Sequence, residues 1–224
     1  MSTKIVQTSE FVTLVGAGPV NTSNLNEALK IAPTLIAADG GAEMLRKYGN
    51  SPEIVIGDMD SASAQTLALL NDQIVHKIVD QDTTDFEKAL GAISAPLVLG
   101  LGFLGGRVDH QLSAMRAVAQ TPEHRCILLG DEDIVFRLPE HLDMPLPSGT
   151  RVSIFPFAQA RVQAAGLKWP LDDVALSMAS FISQSNEVTR DRLEIHAMGQ
   201  AVIVLPIQAL SESVAALTRS RQMT

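Results

Sequence analysis

Short runs of apolar residues recur through the first half of the chain: Val12 to Val15, Thr34 to Ala38, Ile54 to Ile56, Ile74 to Val79, Leu97 to Leu101 and Cys126 to Leu129. Their near-continuous apolar character predicts strands covered on both faces. Amphipathic segments lie between them. The clearest is Thr84 to Ile93, where Phe86, Ala89, Leu90 and Ile93 fall at i, i+3, i+4 and i+7 and form one apolar face. Thr84 and Glu87 have capping-box spacing, so this helix is predicted to start there. A second helix is predicted from about Arg107 to Ala119, with Val108, Leu112 and Met115 on its apolar side. Strands alternating with helices imply a largely parallel sheet with helices on both faces.

Beyond about residue 140 the pattern changes. His141 to Gly149 contains Pro145, Pro147 and Gly149 and reads as a linker. Strand-like stretches follow at Arg151 to Phe157, Arg161 to Ala164 and Val174 to Ile182. A final pair, Arg192 to Ala197 and Ala201 to Ile207, reads as a hairpin turning at Met198-Gly199-Gln200. The expectation is an α/β domain over residues 1–140, followed by a smaller all-β sandwich over 150–224. Leu210, Val214 and Leu217 predict a short helix in the tail.

Composition narrows the function. The 224 residues carry a net charge of −8 and 46% hydrophobic residues, which suits a folded domain with a sizeable core. Without a long basic run, a nucleic-acid or anionic-membrane surface is not expected. A few local cations or a metal can still hold phosphates. The single cysteine, Cys126, reads as a buried strand residue, and one cysteine permits no intrachain disulfide. With no signal-peptide pattern and no apolar stretch near the roughly 20 residues a membrane helix needs, the expected compartment is the cytoplasm.

The aspartates carry the chemistry. Asp39, Asp58 and Asp60, and Asp80 and Asp82 each follow a predicted strand. Asp85 opens the first helix, and Asp109 lies near the start of the second. In an open parallel sheet the carboxyl ends of the strands form the ligand crevice. Clustered carboxylates repel unless a cation balances them, and magnesium prefers carboxylate, phosphate and water oxygens. Lys88 is three residues from Asp85 on the same helix, and Thr83 and Thr84 stand beside free N–H groups at its start. Arg107 follows Gly105-Gly106 and is placed to fork a phosphate. Singly, each has an ordinary structural reading as turn former, helix-dipole partner or surface charge. Their joint placement at successive strand ends favours a site. Gly16-Ala17-Gly18-Pro19 begins like a dinucleotide fingerprint, but position 21 is Asn21. Walker, calcium-loop, zinc and G-x-S-x-G patterns are missing or incomplete.

Four stretches resemble the thiamine pyrophosphokinase family: Ala38-Asp39-Gly40-Gly41-Ala42, Ile56-Gly57-Asp58-Met59-Asp60-Ser61, Asp80 to Leu90, and Gly105-Gly106-Arg107-Val108-Asp109-His110. Gly166 to Leu171 and Ser185-Asn186-Glu187 add weaker likeness. The resemblance implies an N-terminal α/β domain binding ATP and magnesium, a C-terminal β-sandwich, and a homodimer with thiamine where subunits meet. It assigns Asp39, Asp58, Asp60 and one or more of Asp82 and Asp85 to magnesium. Gln81, Thr84, Lys88 and Arg107 are assigned to the phosphates of ATP. Trp169 is implied to stack on the thiamine pyrimidine, with Ser185 or Asn186 on its polar edge. The implied reaction is attack of the thiamine hydroxyl on the β-phosphorus of ATP with departure of AMP, and Asp58, Asp60, Asp85 and Asp109 are the expected catalytic carboxylates. The proton acceptor stays open among Asp60, Asp85 and Asp109. A magnesium-dependent phosphohydrolase and a non-catalytic nucleotide sensor are the alternatives.

Overall fold

The structure, a computed structural model, describes residues 4–59, 74–78, 80 and 82–219. The chain divides into two compact units, Met1–Ala117 with Cys126–Asp131, and Val118–Arg125 with Glu132–Thr224.

In the first unit, the strands β2 (Val12–Val15), β3 (Thr34–Ala38), β4 (Ile54–Gly57), β5 (Val75–Lys77), β7 (Val98–Leu101) and β8 (Cys126–Leu129) form a sheet whose neighbours are all parallel. The order is β8-β7-β2-β3-β4-β5. Every residue of β2, β7 and β8 is buried, as their continuous apolar runs predict. A small parallel pair, β1 (Val6–Gln7) and β6 (Ile93–Ser94), stands beside this sheet in sequence but makes a separate ladder.

The helices are α1 (Thr22–Ile31), α2 (Gly41–Lys47), α3 (Asp85–Ala92) and α4 (Val108–Gln120). Asn21, which breaks the dinucleotide fingerprint, is the N-cap of α1, and its side chain accepts from the N–H groups of Ser23 and Asn24. Thr84 caps α3 in the predicted capping box with Glu87. One expectation is corrected on α4. Val108 and Leu112 are 71% and 50% exposed, and the buried side is Ala114, Ala117 and Val118. The small side chains lie on the covered side of this helix, and the larger apolar residues fall outside.

The second unit is built on two long antiparallel strands, β11 (Arg151–Ala165) and β14 (Leu193–Pro206). β9 (Asp133–Arg137) and β10 (His141–Met144) pair with β14, while β12 (Leu171–Leu176) and β13 (Ser183–Glu187) pair with β11. Three expectations change here. His141–Met144 is a strand rather than part of a linker, with Leu142 and Met144 buried. The stretches predicted as separate strands before and after residue 160 are one strand. The predicted hairpin at Met198-Gly199-Gln200 is also one continuous strand. Between Pro156 and Ala160 the β11 chain runs past its partner out of register. Gly199, at φ 99°, meets that bulge: a Cβ there would lie 2.2 Å from the Gln159 carbonyl oxygen. The glycine bends the strand where backbones crowd, instead of reversing it. A 3₁₀ turn (Ile207–Ala209) leads into α5 (Leu210–Arg219), the predicted tail helix. No helix among the described residues is long and apolar enough to cross a membrane.

Candidate active site

The strand order decides where a ligand can enter the first unit. From β2 the chain winds outward through β3, β4 and β5, then returns to place β7 on the other side of β2. The loops leaving β2 and β7 therefore part at a switch point, the place where open α/β sheets hold ligands. These loops are Gly16-Ala17-Gly18 and Gly102 to Gly106. They are joined by Gly16 N–H to the Leu101 carbonyl at 2.8 Å and Gly18 N–H to the Gly102 carbonyl at 3.0 Å. A cavity of about 540 Å³ opens there, bounded also by Asp58, Asp80, Thr83, Thr84, Asp85, Phe86, Lys88 and Arg107.

Three carboxylates gather at the strand ends beside it. Asp39 follows β3 with φ 42° and is 1% exposed; Asp58 follows β4; Asp85 begins α3. One carboxylate oxygen from each lies within 4.8 Å of the others. Glycines make that approach possible. A Cβ on Gly57 would lie 2.7 Å from the Asp39 Cβ, and one on Gly41 would lie 1.9 Å from the Val15 carbonyl oxygen. Side chains at either position would push the Asp39 turn away from its neighbours.

Lys88 ties the cluster together. Its ammonium donates to Asp58 Oδ2 at 2.6 Å and to Asp85 Oδ1 at 3.3 Å, and its side chain is only 4% exposed. Burial alone would lower the Lys88 pKa, but the two carboxylates outweigh it and hold the pKa above its ordinary value. In this structure two of the three N–H donors of Lys88 are engaged by acids, and the residue also lines the cavity. Three carboxylates and one ammonium leave two negative charges, the balance a divalent cation restores. The donors are all oxygens, matching magnesium rather than a softer ion.

The other expected residues are distributed as follows. Asp80 lines the cavity, and the Asp82 N–H and the Thr83 hydroxyl hold its pKa below the usual carboxylate range. Asp82 itself is exposed and lies outside the three-carboxylate cluster, so its expected place at the metal is not supported. The Thr84 hydroxyl is bonded to Glu87 within the capping box, although Thr84 borders the cavity. Arg107 grips Asp109 through two hydrogen bonds, at 3.2 and 2.6 Å. Both are exposed, and that contact lowers the Asp109 pKa. Asp109 is therefore a partner of Arg107 rather than a member of the carboxylate cluster. Asp60 and Gln81 lie outside the described residues.

Trp169, Ser185 and Asn186 belong to the second unit. Trp169 is 55% exposed, so it is not a core aromatic. Asn186 is buried, and its carboxamide brackets the Trp169 backbone: Oδ1 accepts from Trp169 N–H at 3.1 Å, and Nδ2 donates to the Trp169 carbonyl at 2.7 Å. Ser185 is exposed, with φ 54°.

Comparison with known proteins meets this geometry from outside. Residues 25–129 match the family model "Thiamin pyrophosphokinase, catalytic domain", and residues 136–198 match "Thiamin pyrophosphokinase, vitamin B1 binding domain". Thiamine pyrophosphokinase 1 of Oryza sativa subsp. japonica is 30% identical over 183 residues, covering 73% of this chain and 68% of that protein. The chain belongs to the thiamine pyrophosphokinase family. Thiamine pyrophosphokinase 3 of the same plant is 30% identical over 179 residues, 71% of this chain and 66% of its own. The chain thus spans about two thirds of these relatives. Among solved structures, thiamin pyrophosphokinase from Candida albicans has the same fold, with TM-score 0.74 at 16% identity over 89% of each chain.

Within this family member, sequence reasoning missed the glycine loop after β2. Gly16, Ala17 and Gly18 line the cavity although they form no dinucleotide fingerprint. Phe103 was missed too; its ring lies 4.5 Å from that of Phe86 and helps wall the same cavity. The available signal was the Gly-rich loop at each strand end. What was lacking was the strand order that makes β2 and β7 neighbours.

Proposed function

We propose that the chain transfers the pyrophosphoryl group of ATP to the hydroxyl of thiamine, giving thiamine pyrophosphate and AMP. The observation that carries this reading is the convergence of Asp39, Asp58 and Asp85 around Lys88 beside a cavity at the sheet's switch point. Both family domains are matched in the same chain, which favours transfer to thiamine over phosphohydrolysis or nucleotide sensing.

In this reading residues 1–140 bind ATP and magnesium, and residues 150–224 contribute to thiamine binding and dimerisation. Asp39, Asp58 and Asp85 hold magnesium directly or through water. When bound, the ion supplies charge neutralisation at the phosphate oxygens. The guanidinium of Arg107 orients the phosphates, exchanging Asp109 for them, beside the two glycine loops, where the lack of side chains lets a ligand come close to the backbone. Lys88 keeps Asp58 and Asp85 in place. The thiamine oxygen forms a bond to the β-phosphorus as the bond from that phosphorus to the α,β-bridging oxygen breaks, and the hydroxyl proton passes to a site carboxylate. Catalysis in such transfers is mainly positioning and charge compensation.

Trp169 offers an exposed indole face for the pyrimidine, held in place by Asn186. The two long strands, bent near Gly199, support a sandwich arrangement of the second unit. Exposed apolar residues Met178, Phe181 and Met198 support a homodimer, which light scattering tests. The buried lone thiol of Cys126 suits the reducing cytoplasm.

The deciding assay follows ATP, AMP and phosphate with and without thiamine and magnesium. AMP that forms only when both are present supports the transfer. Phosphate release without thiamine points to a hydrolase, and nucleotide binding without turnover points to a sensor.

A further inference from the structure

The second unit carries two imidazoles and a carboxylate together on its solvent side. His141 on β10 lies opposite His196 on β14, and Asp143 lies opposite Glu194. Opposed residues in an antiparallel pair share a face, so these four form one block. The alternate positions, Leu142, Met144, Leu193 and Ile195, are buried. The two imidazole rings stack with centroids 4.6 Å apart and planes inclined by 25°. Both present Nε2 to the same oxygen, Glu194 Oε1, at 3.6 Å from His141 and 3.5 Å from His196.

These separations are longer than nitrogen–oxygen hydrogen bonds, which cluster near 2.9–3.0 Å. The nitrogen–oxygen spacings are those of a chelate once the two stacked rings turn so that both Nε2 lone pairs face a shared ion. Zinc–nitrogen and zinc–oxygen bonds of about 2.1 Å in tetrahedral geometry set neighbouring ligand atoms about 3.4 Å apart. One donor atom from each of the three residues already lies within 4.8 Å of the other two. Asp143 is engaged elsewhere: Arg192 holds its carboxylate through bonds of 2.7 and 2.6 Å. The remaining set, two imidazole nitrogens and one carboxylate oxygen, leaves a fourth position for water or another ligand. Its nitrogen donors suit a zinc-class ion, whereas the all-oxygen cluster of the first unit suits magnesium.

We propose that His141, Glu194 and His196 form a binding site for a divalent transition-metal ion of the zinc class. An ion held there links β10 to β14 by bonds that the ladder alone does not supply. None of the three residues belongs to the proposed catalytic machinery, so the site is independent of pyrophosphoryl transfer.

The test uses the full chain without a polyhistidine tag, stripped with chelator. It is titrated with Zn²⁺ by calorimetry and with Co²⁺ by visible absorption. The expected result is one equivalent of Zn²⁺ bound in the micromolar range or tighter, and a tetrahedral Co²⁺ band that Zn²⁺ displaces. The double variant His141→Ala/His196→Ala should lose both signals while keeping thiamine-dependent AMP formation. Glu194→Gln, which preserves side-chain shape, should weaken Zn²⁺ binding at least about tenfold. A wild-type chain that takes up no Zn²⁺ at micromolar concentration overturns the proposal. So does a double variant that binds as tightly as wild type, or a Glu194→Gln variant with unchanged affinity.

Discussion

Asn186 is 3% exposed and spends its carboxamide on backbone, accepting from the N–H groups of Trp169 and Glu187 and donating to the Trp169 carbonyl. Its sequence neighbour Ser185 offers a hydroxyl at the surface, so two adjacent polar residues have different tasks. Asn186→Ala leaves the Trp169 peptide groups without these partners, at a cost of about 1 kcal/mol for a partly exposed segment. The expected outcome is a raised KM for thiamine with the KM for ATP unchanged. Because Trp169 is the only tryptophan, its fluorescence reports the loosening directly. Lys88 gives a second prediction. Replacing it by Met leaves Asp58 and Asp85 without their shared cation, which should cost about 3 kcal/mol, the lower end for a broken buried pair. The Lys88 pKa is raised above the ordinary 10.5. The pairing therefore contributes in full below pH about 10, and its contribution is lost as pH rises past the elevated value. Denaturant midpoints should show a constant gap between wild type and Lys88→Met from pH 7 to about 10, closing above it.

At the scale of elements, continuous apolar runs identified β2, β3 and β8 because buried parallel strands need no alternation. The capping box identified the start of α3 for an equally local reason. What was not legible depended on partners distant in sequence. Val108 and Leu112 look like an inward face, yet the alanines Ala114 and Ala117 are the buried residues. The β10 strand was obscured by Pro145, Pro147 and its outward-facing His141. The same blindness to partners turned the middle of β14 into a turn. Gly199→Ala tests the structural account: the added methyl would meet the Gln159 carbonyl and require a left-handed φ of 99° from alanine. Overpacking and strain of this kind cost about 1–3 kcal/mol. A hairpin turn of the predicted type would leave room for the methyl. The chain's urea midpoint should fall accordingly, while a substitution at the adjacent exposed Met198, Met198→Gln, should leave it almost unchanged.

Across the whole molecule the net charge is −8, and part of that excess is concentrated where Asp39, Asp58 and Asp85 converge. The sequence announced this convergence because Asp39 and Asp58 follow strands and Asp85 opens a helix; Asp82 and Asp109 lie outside the three-carboxylate group. Arg107 holds the carboxylate of Asp109, and Asp82 is exposed. If the remaining cluster is held together against its own repulsion, a dication must bind the folded chain in preference to the unfolded one. Linkage then requires a stabilisation of about 2.7 kcal/mol when magnesium is present at 100 times its dissociation constant. The melting temperature should rise with magnesium in the presence of AMP, and chelator should reverse the rise. Asp58→Asn removes one negative charge and the main partner of Lys88 while preserving side-chain size. This variant should fold but lose most of the magnesium-dependent shift, and its thiamine-dependent AMP formation should fall by at least about a hundredfold, in line with the loss of an electrostatic contact at a reacting centre. The same shift and turnover in wild type and variant would separate the carboxylate cluster from metal binding altogether.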